Sequence, residues 1–253
     1  MSSGNNTGTV PQQAGSTRPT VVLVHGAFAD ASSWSGVIQR LRHDGHRVVA
    51  VANPLRGLHD DAAYLSGVLA TIEGPVVLAG HSYGGSVISE AAAGNSAVKA
   101  LVYVAAFIPD TGESAGALSG KFPGSTLGDT VEASAYPLPD GGSGTELTIR
   151  QDLFHQQFAA DVPAGTALVM AATQRPVSTR ALEETALRVA WNSIPAYALV
   201  SGRDLNIPPR AQQWMAERAD AHVVTVEGAS HAATVSEPEA VADLIRRALG
   251  DIG

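Results

Sequence analysis

The chain has no cysteine, which excludes disulfides, thiolate metal sites and a cysteine nucleophile. No apolar run approaches the ~18 residues that would suggest a membrane span. Basic residues are the minority: Lys and Arg total 16 against 24 Asp and Glu, a formal net charge of −8. Nucleic acid and anionic membranes call for clustered Lys and Arg, and with no basic patch in the chain neither is an expected partner. The glycine signatures of nucleotide sites, G-x-G-x-x-G and Gly-Lys-Ser/Thr, are missing. No His and carboxylate cluster has helical ligand spacing, so no metal is expected either. Residues 1–19 have neither a charged n-region nor an apolar h-region. They therefore do not read as a signal peptide but as a disordered tail, and the cytoplasm is the expected compartment.

What is present has the rhythm of an α/β protein. With 253 residues, 45% hydrophobic and 16% charged, the chain fits one globular domain with ample length for a core. Thr20–Val24, Val48–Val51, Pro75–Ala79 and Ala100–Ala105 are short apolar runs without polar alternation, the pattern of strands buried on both faces of a parallel sheet. Helical stretches lie between them. Trp34, Val37, Ile38 and Leu41 share one helix face, with Gly45 as a stop, and Asp60 to Ile72 reads as the next helix. From about Pro109 to Ile194 the rhythm fails, and this stretch reads as an inserted cap. The rhythm returns with strands at Ala196–Val200 and Val223–Val226 and a helix near Ala211–Arg218. A last helix carries the stripe Val241, Leu244, Ile245, Ala248 and Leu249, and Ser236 with Glu239 matches a capping box at its start. Strands and helices alternating in this way predict a mainly parallel sheet flanked by helices, with ligands bound beyond the carboxyl ends of the strands.

The stretch Gly80-His81-Ser82-Tyr83-Gly84-Gly85 falls at such an end. A serine displayed on a sharp strand-to-helix turn needs small residues two before and two after it, and Gly80 and Gly84 meet that need. Ser82 is thus the candidate nucleophile, and the Tyr83 N–H, at a helix N-terminus, is placed to face an oxyanion. A serine hydroxyl needs an adjacent base, commonly a histidine oriented by a carboxylate. Of eight histidines, His231 follows the last strand in a loop at the same end of the sheet. Asp204 follows the preceding strand and is the candidate acid, with Asp110 as its rival. His25 and His81 flank the site and read as structural residues. Phe28 is a candidate pocket wall, and Phe154, Phe158 and Trp191 are candidate contacts from the cap.

His25-Gly26-Ala27-Phe28, Gly80 to Gly85, Asp204 and His231 together resemble the α/β-hydrolase superfamily. The match spans nearly the whole chain after residue 19. Val24 to Ala27, Trp34, Gly45-His46 and Ala105-Ala106-Phe107-Ile108-Pro109-Asp110 are similar to the branch of plant methylesterases and hydroxynitrile lyases. The resemblance implies an α/β-hydrolase core over residues 20–110 and 191–253, a cap over 111–190, and an oxyanion hole of Ala27 N–H and Tyr83 N–H. Lyases of that branch carry threonine after the first His and lysine after the triad His. Here Gly26 and Ala232 stand in those places, which favours ester hydrolysis. The expected activity is cofactor-free hydrolysis of a small hydrophobic or aryl ester. Lactone or amide hydrolysis, acyl transfer, perhydrolysis and a non-catalytic receptor for a small ligand are the alternatives. A small-molecule ester is the expected partner, and a homodimer is left open.

Overall fold

The computed structural model describes residues 18–252. The expected tail over residues 1–19 lies outside the described residues except for its last two. The chain runs β1 (Thr20–Val24), α1 (Ser35–His43), β2 (Arg47–Val51), α2 (Leu58–Ala70), β3 (Val76–His81), α3 (Gly84–Ala91) and β4 (Val98–Val104). After a long excursion it resumes with β8 (Ala196–Ser201), α8 (Pro209–Arg218), β9 (His222–Val226), α9 (Ala233–Ser236) and α10 (Pro238–Asp251). Between β4 and β8 lie α4 (Ala115–Ser119), β5 (Val131–Pro137), β6 (Ser143–Ile149), α5 (Gln151–Phe158), α6 (Ala164–Thr173), β7 (Val177–Ser178) and α7 (Thr179–Glu183).

The six core strands pair in the order β2-β1-β3-β4-β8-β9, and every pairing is parallel. The α/β fold read from the alternating runs is the fold observed. The period-two geometry of a strand sends alternate side chains to opposite faces, and β1 divides its residues accordingly. Val22 and Val24 belong to the buried cluster that also holds residues of α2, α3 and α8, whereas Val21 and Leu23 belong to the one that holds Val37 and Leu41 of α1 and the apolar stripe of α10. Both faces are therefore sealed, and the strand ends are held from above and below. The edge strands differ, since β2 and β9 each keep several residues half-buried or exposed.

The inserted segment has its own three-stranded antiparallel sheet, in the order β5-β6-β7. Its hairpin turn falls on the Pro- and Gly-rich stretch after β5, where the Leu138 N–H donates to the Gly142 carbonyl at 2.9 Å and Gly141 takes a φ of 85°. Arg56, from the core, pairs with Glu146 at 2.6 Å and lies over the Tyr136 ring at 4.5 Å. Among the described residues no helix is long and apolar enough to cross a membrane.

Two sequence expectations change. The second helix begins at Leu58 rather than Asp60, so Asp60 and Asp61 stand in its first turn, where they meet the positive end of the helix dipole. The capping box is not formed. Ser236 ends α9 in helical conformation, while α10 starts at Pro238 with Glu237 before it and no side-chain cap. Proline at the first helical position supplies the start instead, because its fixed φ suits the helix and its missing N–H would be unpaired anyway. The Glu239 carboxylate accepts from Arg40 at 2.6 Å and Arg246 at 2.7 Å.

Candidate active site

β3 ends at His81, and the next residue turns sharply. Ser82 has a φ of 54°, a left-handed conformation that costs an ordinary residue about 1–2 kcal/mol. Its surroundings hold it there. The Ser82 N–H donates to the Val104 carbonyl at 3.2 Å, and the Ser82 carbonyl accepts from the N–H groups of Gly85 at 2.9 Å and Phe107 at 3.2 Å. A Cβ on Gly80 would stand 2.6 Å from the Gly84 carbonyl oxygen, and one on Gly84 would stand 2.5 Å from that of Val24. No side chain fits either place, so the two glycines allow β3, β1 and α3 to approach closely enough for the turn to close. Ser82 itself is 5% exposed.

Three loops at the same sheet end converge on it. The Ser82 hydroxyl donates to His231 Nε2 at 2.8 Å, and His231 Nδ1–H donates to Asp204 Oδ2 at 2.6 Å. The tautomer follows from the partners, because a carboxylate accepts and so fixes the proton on Nδ1. Asp204 Oδ1 accepts from the Asn206 N–H at 2.7 Å and the Ile207 N–H at 3.0 Å, and Oδ2 also accepts from Gln212 Nε2 at 2.7 Å. Four donors satisfy one buried charge, as a charge out of contact with water requires. Asp110, the rival acid, is taken up locally, with its Oδ1 accepting from the Thr111 N–H at 2.7 Å.

Ala27 and Tyr83 line the same space, and among the described residues the N–H of neither donates a backbone hydrogen bond. The Tyr83 side chain is anchored on the far side, where its hydroxyl donates to Asp61 Oδ2 at 2.8 Å. Burial, with the Asp61 carboxylate beside it, pushes the Tyr83 phenol well above its ordinary value. Burial raises Asp61 in turn, against the donors of Arg56, Tyr83 and Gly57. The side chain of Tyr83 is thus fixed at both ends, by α3 and by α2.

His25 and His81 are structural, as expected. His25 Nδ1–H donates to the Gly26 carbonyl at 2.9 Å, and its Nε2 accepts from the Asn53 N–H at 3.0 Å. Burial lowers its pKa. His81 Nε2–H donates to the His231 carbonyl at 2.8 Å. Full burial, with His231 close by, takes its pKa down to about 3.

Above Ser82 is a cavity of about 200 Å³, walled mainly by Ala27, Phe28, Phe107, Leu127, Leu182 and Ile207. Phe28 lines it, as the sequence predicts, but the other expected contacts do not. Phe154 and Phe158 stack on each other at 4.9 Å, and Phe158 meets the His231 ring edge-on at 4.9 Å. Trp191 donates its indole N–H to the Pro109 carbonyl at 2.7 Å and lines a different surface depression beside Arg218.

A model described as the alpha/beta hydrolase family matches residues 21–244. The chain belongs to that family. The hydrolase is 29% identical to the alpha/beta hydrolase nvfD of Aspergillus novofumigatus, with 92% of this chain and 98% of the relative covered. It is 28% identical to methylesterase 9 of Arabidopsis thaliana, over 88% of this chain and 94% of that one. Among solved structures it is similar to polyneuridine aldehyde esterase, with a TM-score of 0.76 and 23% identity over 93% of this chain and 99% of that one. The last likeness concerns the fold. The resemblance to the esterase branch of the superfamily holds.

Several residues of the hydrolase's site escape a sequence reading. Gln212 is 3% exposed and bonds Asp204, the Ile207 carbonyl and the Ser201 N–H. Its signal is present in α8, where a glutamine stands among Ala211, Met215 and Ala216 on the buried face, and a polar group in such a place needs partners. Asp161, from the inserted segment, accepts from the Ser230 hydroxyl and, at 3.0 Å, from the Ser230 N–H, which ties that segment to the residue before His231. No local pattern announces Asp161.

Proposed function

We propose that this hydrolase is a serine carboxylic ester hydrolase acting on a small hydrophobic or aryl ester, with Ser82, His231 and Asp204 as its triad. The observation that carries this reading is the unbroken hydrogen-bonded chain from Ser82 through His231 to Asp204, set at the floor of a small apolar cavity. His231 Nε2 takes the Ser82 proton while Oγ attacks the acyl carbon, and Asp204 stabilises the imidazolium that forms. The oxyanion is held by the N–H groups of Ala27 and Tyr83; one such donor is typically worth about 3 kcal/mol of transition-state stabilisation. His231 then gives its proton to the leaving alcohol, and a water activated by the same Nε2 hydrolyses the acyl-enzyme. No cofactor enters any step.

Residues 111–190 serve in this reading as the cap. They bring Ala115, Gly116, Ser119, Leu127 and Leu182 to the cavity, so the acyl or alcohol group is selected largely by side chains outside the core sheet. Gly26 supports hydrolysis over cyanohydrin cleavage on steric grounds as well, since a Cβ there would stand 2.6 Å from Ser82 Cβ and 3.2 Å from Ser82 Oγ. A threonine cannot be accommodated without moving the nucleophile. The test is turnover of p-nitrophenyl acetate by Ser82→Ala. A loss of about 10⁴-fold or more in kcat is expected, and wild-type turnover in the variant would overturn the mechanism.

A further inference from the structure

At about 200 Å³ the catalytic cavity is smaller than the roughly 300–1,000 Å³ of sites that enclose a drug-sized ligand. It has room for the scissile group and one compact half of an ester. A second, larger space lies beside it, a groove of about 440 Å³ between residues 28–36 and helix α6. Phe28 is the one residue that lines both. It is 4% exposed and holds a φ of 59°, a left-handed backbone that costs a residue with a side chain about 1–2 kcal/mol. Such strain is kept where the surrounding structure imposes it, and it clusters at ligand-binding positions. Phe28 directly follows Ala27, the oxyanion donor of the proposed mechanism, so the same turn that presents that N–H sets the phenyl ring between the two spaces.

The lining of the groove says what enters it. From α6 come Val169, 58% exposed, and Met170, half-buried. The polar side chains of the wall are occupied by backbone carbonyls: Ser33 donates to Asp30 at 2.7 Å, Ser35 to Ser32 at 2.7 Å, Thr173 to Val169 at 3.0 Å and Gln174 Nε2 to Ile149 at 2.7 Å. Groups already paired ask nothing of a ligand. The Asp30 carboxylate, in the same wall, repels an anionic one. An uncharged hydrocarbon arm gains most here, because it takes Val169 and Met170 out of water. We infer that the groove is the subsite for the longer half of the ester, an uncharged hydrocarbon chain or ring, and that Phe28 is the partition governing its passage from Ser82. This inference rests on the ester-hydrolase reading of the same site. The preferred substrate has one compact half and one extended apolar half.

The test uses p-nitrophenyl esters of straight-chain acids of two to eight carbons, and acetates of straight-chain alcohols of the same lengths; the series that responds shows which half enters the groove. In each, kcat/KM of the longest ester is divided by that of the shortest, and the ratio in a variant is divided by the wild-type ratio, which cancels intrinsic reactivity. Val169→Glu changes an exposed helical position, so the fold is kept, and it sets a charge in the groove. The ratio should fall about tenfold in one series. Leu168→Glu, on the same helix, 72% exposed and outside the groove, should keep the wild-type ratio. Phe28→Ala removes the partition and should raise the ratio severalfold; if it fails to fold, Val169→Glu alone decides. An unchanged ratio in Val169→Glu, or an equal fall in Leu168→Glu, would overturn the proposal. So would a dimer lost in Val169→Glu by light scattering with the ratio unchanged, which would give this face to a second copy. The eight-carbon esters are also titrated by calorimetry into Ser82→Ala with and without Val169→Glu. Binding that depends on Val169, in a protein whose Ser82 forms no fluorophosphonate adduct, sinks the hydrolase reading and keeps the groove. An adduct at Ser82 with no such dependence sinks the groove alone.

Discussion

β3 and β5 have nearly the same length, six and seven residues, but every residue of β3 is buried while β5 exposes five of its seven. β3 sits mid-sheet between β1 and β4 and is packed from both faces. β5 has one partner strand, β6, and its sheet is tied to the core through a few contacts such as Arg56 with Glu146 and Tyr136. Packing on both faces fixes where a strand ends, and Ser82, the candidate nucleophile, is displayed at the end of such a strand. The antiparallel sheet of the inserted segment is held chiefly by its own ladder of hydrogen bonds, so its surface residues are free to vary with little consequence for the core. The contrast sets Ser82 beyond the end of a strand packed on both faces, while β5, β6 and β7 bring no residue to the cavity above it.

That contrast can be broken by experiment. The largest expected effect on stability is Gly84→Ala, whose Cβ would meet the Val24 carbonyl oxygen at 2.5 Å, backbone held in the middle of the sheet. A loss of about 3 kcal/mol or more is expected from denaturant unfolding. Gly141→Ala in the β5–β6 turn meets nothing within 4 Å and carries only the strain of a φ of 85°, about 1–2 kcal/mol. Equal losses at the two sites would remove the distinction. Next in size is Gln212→Leu, which deprives Asp204 of one of its four donors. A bond to a charged group supports a fall of about tenfold to a hundredfold in kcat with KM little changed. Asp161→Asn, acting from the inserted segment on Ser230, should lower kcat less than Gln212→Leu does; the reverse order would mean that this segment helps to place the base.

The last prediction concerns pH, where the effect on stability appears only below neutrality. His81 has a folded pKa of about 3 against an ordinary 6.5, so the unfolded chain takes up the proton first. Its contribution to stability is fully present above pH 6.5 and is lost as pH falls from there toward 3. Burial of His25 acts in the same direction. His81→Gln, which can still donate to the His231 carbonyl, should flatten the decline of Tm between pH 6.5 and 4, and a decline as steep as wild type would show that His81 is not its source.

The four central strands were legible because their signal is local: apolar runs of five or six residues have no solvent-facing side to reveal; the four-residue runs at β2 and β9 proved to be edge strands, partly exposed. The sharp turn at Ser82 was legible for a similar reason, since crowding at Gly80 and Gly84 demands glycine within two residues of it. The inserted segment gave no such signal. An exposed hairpin alternates weakly, and β5 and β6 went unread. Phe154, Phe158 and Trp191 illustrate the cost, because an aromatic residue in that segment can face the cavity or turn inward, and its identity is the same in both cases. Phe158 turned toward the back of His231. The capping box at Ser236 failed because a short helix, α9, occupied the place of its N-cap.

The sequence by itself determined the parallel α/β core, the serine on its sharp turn, and the order in which the candidate acid and base, Asp204 and His231, follow it. Each of these depends on spacing along the chain or on what a few adjacent residues can physically adopt. The tertiary structure alone decided which side chains complete the site. Gln212 reaches Asp204 from eight residues away, Tyr83 reaches Asp61 from 22, and Gln157 orients Asn206 from 49. The direction of a polar side chain at such separations is set by what packs around it, and that is known only when the whole chain has folded.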